Sequence, residues 1–178
     1  MNQGPLSNVL NLPSIARVRQ NHALEHATMQ VLSERDNKLT LMGRSSLWGF
    51  YIYGEVDTED VLVAAQEGLR RLKAGRREMA IHPNCGSNYV VAGAIAGTGA
   101  FVALGGLCRD RRERLLDRLA RLPLAWAVGT LGAILSKPLG AALQAHVTTK
   151  ADVGEMRIEG VVKREQAGTT VHLIRTGE

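Results

Sequence analysis

Cysteine and aromatic residues are both scarce in this chain of 178 residues. Two cysteines cannot build the disulfide framework of a small secreted protein, so reduced thiols are expected. Aromatic residues make up 4% of the sequence, which leaves little with which to stack nucleic-acid bases. We therefore expect no nucleic-acid partner, although the net charge is +5. Residues 1–12 also lack the basic start and apolar core of a signal peptide.

Long apolar stretches dominate the second half of the chain. Asn88–Leu107 holds 20 residues without a charge, about the length that an α-helix needs to cross a bilayer. Leu122–Ala145 is also apolar but is interrupted at Lys137, which would have to pair or reach the interface. Six arginines lie between the two stretches, within the loop 108–121. We interpret residues 88–147 as a two-helix transmembrane hairpin with a basic loop; a buried hairpin of a soluble protein is the alternative.

The rest of the chain has the helical and extended patterns of an α+β domain. Residues 1–10 are polar and rich in turn formers, which predicts a loose tail. Apolar spacing predicts helices over 11–34 and 57–72, and strands over Lys38–Met42, Leu47–Val56, Met79–Ile81, Glu155–Lys163 and Thr169–Arg175. The predicted fold class is therefore α+β, with a small helix-plus-antiparallel-sheet domain formed by residues 11–87 and 150–178. The transmembrane hairpin is inserted between the two halves of that domain.

The first predicted helix carries the sharpest chemical signal, His22-Ala23-Leu24-Glu25-His26. Two histidines four residues apart lie on one helix face and can bind a single zinc ion. Glu25 shares that face and can accept a proton from water beside the metal. The alternative is a pair of hydrogen-bonded core histidines with Glu25 as the acceptor.

A zinc site needs a third ligand, and the turn His82-Pro83-Asn84-Cys85 offers two candidates. If both His82 and Cys85 bind, the zinc is closed and structural; if one binds, a position stays open for chemistry. Glu78 is a rival third ligand. A purely structural turn with a buried thiol is the alternative. Cys85 as a nucleophile, with His82 or His26 as base, lacks an evident orienting acid.

Two resemblances follow from these motifs. The HxxEH arrangement resembles the inverzincin motif of the insulinase/pitrilysin metallopeptidases, which implies His22 and His26 as ligands, Glu25 as general base and a downstream glutamate as ligand. This chain is far shorter and lacks the duplicated domains of those peptidases.

The segments NHALEHAT, WGFYIYGEV and IHPNCGSN, followed by the apolar stretches, resemble an uncharacterised family of cyanobacterial-type membrane proteins over about residues 15–145. That resemblance implies a membrane-embedded protein and no particular activity.

We therefore hypothesise a membrane-anchored zinc-dependent hydrolase that acts on a protein or peptide substrate. The alternatives are a non-catalytic membrane protein with a structural metal or histidine cluster, and a membrane interaction module that uses Tyr51–Tyr53 or the arginine-rich segment. The expected location is a bacterial inner membrane, with the lipid bilayer as partner. The site is expected on the cytoplasmic side, where a cysteine ligand stays reduced. The sequence leaves open whether the protein forms a homo-oligomer.

Overall fold

The computed structural model describes residues 4–106, 115–166 and 168–178. The helices are α1 Pro5–Leu10, α2 Pro13–Arg35, α3 Thr58–Lys73, α4 Gly86–Ala103, α5 Leu115–Ala120 and α6 Leu122–Leu143. A 3-10 turn covers Arg77–Ala80 and a π turn covers Gln144–Thr148. The strands are β1 Met42–Ser46, β2 Gly49–Tyr53, β3 Arg157–Gln166 and β4 Thr169–Gly177. The chain divides into a first unit, Met1–His82 with Gln144–Glu178, and a second unit, Pro83–Leu143.

The first unit is built on an antiparallel sheet with the strand order β1-β2-β4-β3. Phe50 and Ile52 of β2 are fully buried, as alternating residues on the core face of a strand should be. Gly49 begins β2 with φ at 140°, and an added Cβ would collide with the carbonyl oxygen of Ile174 on β4. Only glycine combines that backbone conformation with so close an approach of two strands. The helices and this antiparallel sheet confirm the predicted α+β class, and the pairing of β3 with β4 confirms the predicted terminal hairpin.

Helices α2 and α3 pack against each other and against the sheet. They approach each other closely at Gly68, where an added Cβ would lie 3.1 Å from the carbonyl carbon of Ala27. The first turn of α3 is acidic and its last turn is basic, which complements the helix dipole. Both helices were predicted from their apolar spacing. The core that they enclose includes Leu24, Val31, Leu32, Phe50, Ile52, Val61, Met156 and Ile174.

Two short extended segments differ from the prediction. The first strand begins at Met42 rather than ending there, because the hairpin turns at Leu47-Trp48. The side-chain amide of Asn21 on α2 donates to the carbonyl oxygens of Ser46 and Leu47, at 2.9 and 3.3 Å, and so fixes that turn. Met79–Ile81 lies in and just after the 3-10 turn and is not a strand. Its carbonyl groups are taken by side chains of α2, described below, rather than by a neighbouring strand.

The N-terminal segment is more ordered than a loose tail. Pro5–Leu10 forms α1 with proline at its first position, where a missing N–H costs nothing. The Arg19 guanidinium donates to the carbonyl oxygen of Leu10 at 3.1 Å, so a cation satisfies the C-terminal end of α1. This contact joins residues nine positions apart, and no local sequence pattern predicts it.

The second unit contains α4 and α6, which run antiparallel and pack along each other. Small residues line the contact. An added Cβ at Gly132 would lie 3.2 Å from Ile95, and one at Gly99 would lie 3.0 Å from Val128. Close approach through glycines is the packing expected for these apolar helices.

The prediction of two membrane spans is corrected to one candidate. Within the described residues, a single helix is long and apolar enough to cross a membrane by length and composition, Leu122–Thr148 with 27 residues. Helix α4 is 18 residues long, and its first turn includes the polar residues Ser87 and Asn88. Its apolar part is therefore shorter than the roughly 20 residues that a span needs. Residues 107–114, which hold four of the six arginines of the predicted basic loop, lie outside the described residues.

Candidate metal centre

Helix α2 brings the residues of the HxxEH motif together. The imidazole rings of His22 and His26 have centroids 4.4 Å apart, in an edge-to-face arrangement. Glu25 and His26 are 4% and 2% exposed, and His22 is half-buried. The motif therefore lies toward the interior, as its position on the apolar stripe of the helix indicates.

Both histidines are oriented by main-chain carbonyl groups. The His22 Nδ1 atom lies 2.9 Å from the carbonyl oxygen of Thr148, and the His26 Nδ1 atom lies 2.7 Å from that of Ala80. A carbonyl oxygen can only accept, so in each neutral ring Nδ1 must carry the hydrogen and donate it. Nε2 then carries the lone pair in both rings. Metal-binding histidines in proteins are held in the same way by their second nitrogen.

His82 lies next to these rings. Its ring centroid is 5.6 Å from that of His26. The amide side chain of Gln144 binds the His82 main chain: His82 N–H donates to Gln144 Oε1 at 2.8 Å, and Gln144 Nε2 donates to the His82 carbonyl oxygen at 3.1 Å. Gln144 is itself fully buried. The start of the predicted turn is thus held by a residue distant in the sequence.

Cys85 follows His82 by three residues, so the backbone keeps their Cα atoms within about 11 Å of each other. Its side chain is buried and forms no disulfide. The Ser87 hydroxyl donates to the Cys85 sulfur at 3.2 Å. Cys85 also occupies the position before the first residue of α4, where the helix dipole favours a thiolate. These features suit a metal-binding sulfur.

The ligand atoms of His22, His26 and Cys85 lie within 4.8 Å of one another. Around a tetrahedral zinc ion, nitrogen and sulfur ligands are about 3.3–3.6 Å apart, given Zn–N and Zn–S distances of about 2.0–2.3 Å. Small side-chain rotations would close that difference. The described residues therefore contain a cluster of two histidines and one cysteine that could bind a metal. The donor set, two imidazoles and a thiolate, suits zinc.

The other two predicted ligands stand outside this three-residue cluster. The His82 ring contacts the His26 ring, and Glu78 is exposed on the 3-10 turn. Of the residues considered for the third position, the structure brings Cys85 to the histidines. A set of three ligands leaves a tetrahedral site with one position open.

Glu25 is directed toward β1. The Ser45 hydroxyl donates to Glu25 Oε2, and the carboxylate lies over Gly43, where an added Cβ would collide with Oε1. Position 43 must therefore be glycine, because any side chain there would collide with the Glu25 carboxylate. A buried carboxylate with a hydrogen-bond donor is a satisfied group, and it can act as a base or as a purely structural acceptor.

Several residues that support the cluster carry no recognisable sequence pattern. Gln30 on α2 donates through Nε2 to the carbonyl oxygens of Met79 and Ile81, at 3.2 and 2.9 Å. Gln144 falls inside the stretch interpreted as a membrane span, where an amide needs a partner. This need for a partner is the one sequence feature that could have identified Gln144. Single glutamine or serine residues otherwise predict nothing.

Comparison with known proteins places the chain in a family. The model of the family described as "Domain of unknown function (DUF6391)" matches residues 17–161. An uncharacterised protein of the cyanobacterium Picosynechococcus sp. (strain ATCC 27264 / PCC 7002 / PR-6) is 31% identical over 180 residues, which cover 94% of this chain and 82% of that protein. No solved structure matches significantly. The match extends from α2 through the histidines, Cys85 and α6 into β3, and the chain belongs to the DUF6391 family.

Proposed function

We propose that this protein is a membrane-anchored zinc-dependent hydrolase with His22, His26 and Cys85 as ligands. The observation that carries the proposal is the approach of the three ligand atoms to within 4.8 Å, with both histidines turned by carbonyl groups so that Nε2 bears the lone pair. Two imidazoles and a thiolate form a common zinc ligand set, and the open fourth position is the feature of catalytic rather than structural sites.

The proposed chemistry combines a metal ion with the carboxylate of the same helix. A zinc ion held there supplies a Lewis acid that lowers the pKa of water toward neutrality. Glu25, one residue before His26 on the same helix, accepts the proton from the attacking water. The Ser45 hydroxyl, which donates to Oε2, orients the carboxylate. The resemblance of the motif to inverzincins favours a peptide or protein as substrate.

The membrane part of the proposal depends on α6. Its large apolar side chains point outward, with Trp126, Leu131 and Ile134 at 68%, 56% and 58% exposed. Outward apolar surface on a helix of this length is favourable in lipid and costly in water. We place the site on the cytoplasmic side of a bacterial membrane, where the Cys85 thiol stays reduced.

The direct test is metal content of the detergent-purified chain, followed by hydrolysis of a fluorogenic casein. Glu25→Gln should keep about one zinc per chain and lower turnover by about 10²–10⁴-fold, since a general base contributes that much. His22→Ala should lose both zinc and turnover. His146→Ala is the matched control, because His146 is exposed and its side chain stands outside the cluster. If wild-type protein that is purified without chelator contains no zinc, the proposal is wrong.

One observation favours the non-catalytic alternative, a structural metal or histidine cluster. Glu25 is 4% exposed and already bound by Ser45, as a structural acceptor would be. In that case His22→Ala lowers stability, Glu25→Gln leaves any residual hydrolysis unchanged, and zinc exchanges slowly with added metal. Comparing turnover of Glu25→Gln with wild type separates the two functions.

A further inference from the structure

Gln144 is the residue that ties the π turn to the segment leading into the metal centre. We propose that Gln144 is a positioning residue of this centre, which holds the His82–Cys85 turn so that the thiolate reaches the metal. The proposal rests on the zinc site proposed above and concerns a residue outside the ligand set.

Both polar ends of the Gln144 side chain are used on one residue. Oε1 accepts from the His82 N–H at 2.8 Å, and Nε2 donates to the His82 carbonyl oxygen at 3.1 Å. The side chain is fully buried, so water cannot replace these bonds without opening the structure. Only an amide offers a donor and an acceptor side by side in this way; a carboxylate keeps the acceptor and loses the donor.

The hydrogen bonds between Gln144 and His82 also restrict the position of Cys85, because Cys85 follows closely in the chain. Two residues lie between His82 and Cys85, and Pro83 restricts the backbone directly after the fixed His82 peptide. The Pro83 carbonyl oxygen in turn accepts from the Asn88 side-chain amide at 2.7 Å, so the turn is bonded on both sides of Cys85. Freeing His82 therefore loosens the position of the sulfur without removing any ligand.

The π turn that carries Gln144 is itself firmly placed. Thr149 donates to the Gln144 carbonyl oxygen through its N–H at 3.0 Å and its hydroxyl at 2.8 Å. The Arg19 guanidinium donates to the carbonyl oxygens of His146 and Thr149, at 3.0 and 2.9 Å. The Thr148 carbonyl oxygen orients the His22 ring. One short turn thus orients one histidine ligand directly and the cysteine ligand through Gln144, a role in which π turns are often found.

Gln30 provides a matched comparison within the same segment. It is also a glutamine, and it makes two hydrogen bonds to main-chain carbonyl groups, those of Met79 and Ile81. Met79 and Ile81 precede His82, and the two hydrogen bonds between Gln144 and the His82 main chain remain when the Gln30 side chain is removed. A loss of general stability should follow from either substitution, whereas a change in sulfur ligation should follow from Gln144 alone.

The experiment uses the full chain in detergent, loaded with Co²⁺ in place of zinc. Sulfur-to-cobalt charge-transfer absorption in the near ultraviolet reports the Cys85 ligand, and visible absorption reports tetrahedral geometry. We expect Gln144→Leu to weaken Co²⁺ binding about 10–100-fold, the usual cost of losing a group that orients a ligand, and to diminish the charge-transfer band. Gln30→Leu should keep the band at wild-type intensity. Gln144→Glu keeps the acceptor. Its Co²⁺ affinity and its charge-transfer band should lie between those of the wild type and of Gln144→Leu.

The outcomes separate this inference from the proposed function. Absence of a cobalt spectrum in the wild type overturns the metal centre, and the role of Gln144 with it. A wild-type band that Gln144→Leu leaves intact, or that Gln30→Leu diminishes equally, overturns the role of Gln144 and leaves the metal centre standing. If Gln144→Leu does not fold by circular dichroism, Gln144→Glu decides: weaker cobalt binding supports the role, and wild-type affinity overturns it.

Discussion

The Nδ1 atom of His26 lies 2.7 Å from the carbonyl oxygen of Ala80, 54 residues along the chain. This bond joins the central helix to the segment that leads into His82, and it determines which nitrogen of the ring can bind a metal. The carbonyl groups on either side, of Met79 and Ile81, are bound by Gln30. Side chains of a single helix thus bind three successive carbonyl groups, and they hold the segment in place without its pairing to the sheet.

Removal of the metal from the cluster of His22, His26 and Cys85 should lower the free energy of unfolding. At a zinc concentration 100 times the dissociation constant, binding adds about 2.7 kcal/mol to the free energy of unfolding. Chelation should therefore lower the melting temperature of the wild type and of His146→Ala. The melting temperature of His22→Ala should not respond to chelator. Equal responses in all three proteins would show that the metal binds elsewhere.

Gly43→Ala should destabilise the first unit by about 1–3 kcal/mol, the cost of overpacking a filled site. The added methyl group would collide with the buried carboxylate of Glu25. Gly160→Ala on β3 is the control, because an added Cβ there meets nothing within 4 Å. Urea unfolding of the two variants measures the difference. Equal stabilities would mean that Glu25 moves away at little cost.

Mild acid should destabilise the protein through His172 of β4. Its side chain is fully buried, Nε2 lies 3.1 Å from the Thr58 hydroxyl, and Nδ1 has no hydrogen-bond partner among the described residues. Burial, with a smaller contribution from Lys163, lowers the pKa of His172 below its ordinary value of 6.5; Glu55 and Asp57 oppose the shift. The unfolded chain therefore binds a proton near pH 6.5 that the folded chain does not.

Stability is unaffected by this group above pH 6.5 and falls as the pH drops from 6.5 toward the lowered folded pKa. The slope is at most about 1.4 kcal/mol per pH unit, the limit for one proton. Urea unfolding of metal-free protein between pH 7.5 and 5 measures it, because the cluster histidines then bind no metal. His172→Gln should flatten the dependence; an unchanged slope would assign it to other groups.

Charge on the outer face of α6 should prevent membrane insertion. Leu131→Lys places a charge near the middle of the helix, at a cost of about 2.5–3.5 kcal/mol in lipid. After carbonate extraction, the variant should shift from the membrane pellet to the soluble fraction. Val63→Lys, on an exposed position of α3, should behave as the wild type. If Leu131→Lys stays in the membrane pellet as the wild type does, α6 is not the anchor.

The elements that could be predicted are those whose pattern is local. Helices α2 and α3 and the hairpin of β3 and β4 follow from periodic apolar residues, which depend only on near neighbours. The 3-10 turn was mistaken for a strand because its apolar residues look alike in either conformation. What decides between them is Gln30, 49 and 51 residues away from its two partners. The turn at Leu47-Trp48 was missed because the Asn21 amide, and not the local residues, holds it.

The sequence by itself determined the α+β class, the two histidines and Glu25 on one helix face, and an apolar helix of membrane-spanning length. Helical spacing is set within a few residues, so no long-range contact is needed to infer it. Only the tertiary structure decided that Cys85, rather than Glu78, joins the histidines, which ring nitrogen each histidine offers, and that Gln144 holds the intervening turn. These depend on contacts between residues 54, 62 and 126 positions apart, which arise only when the chain has packed its core.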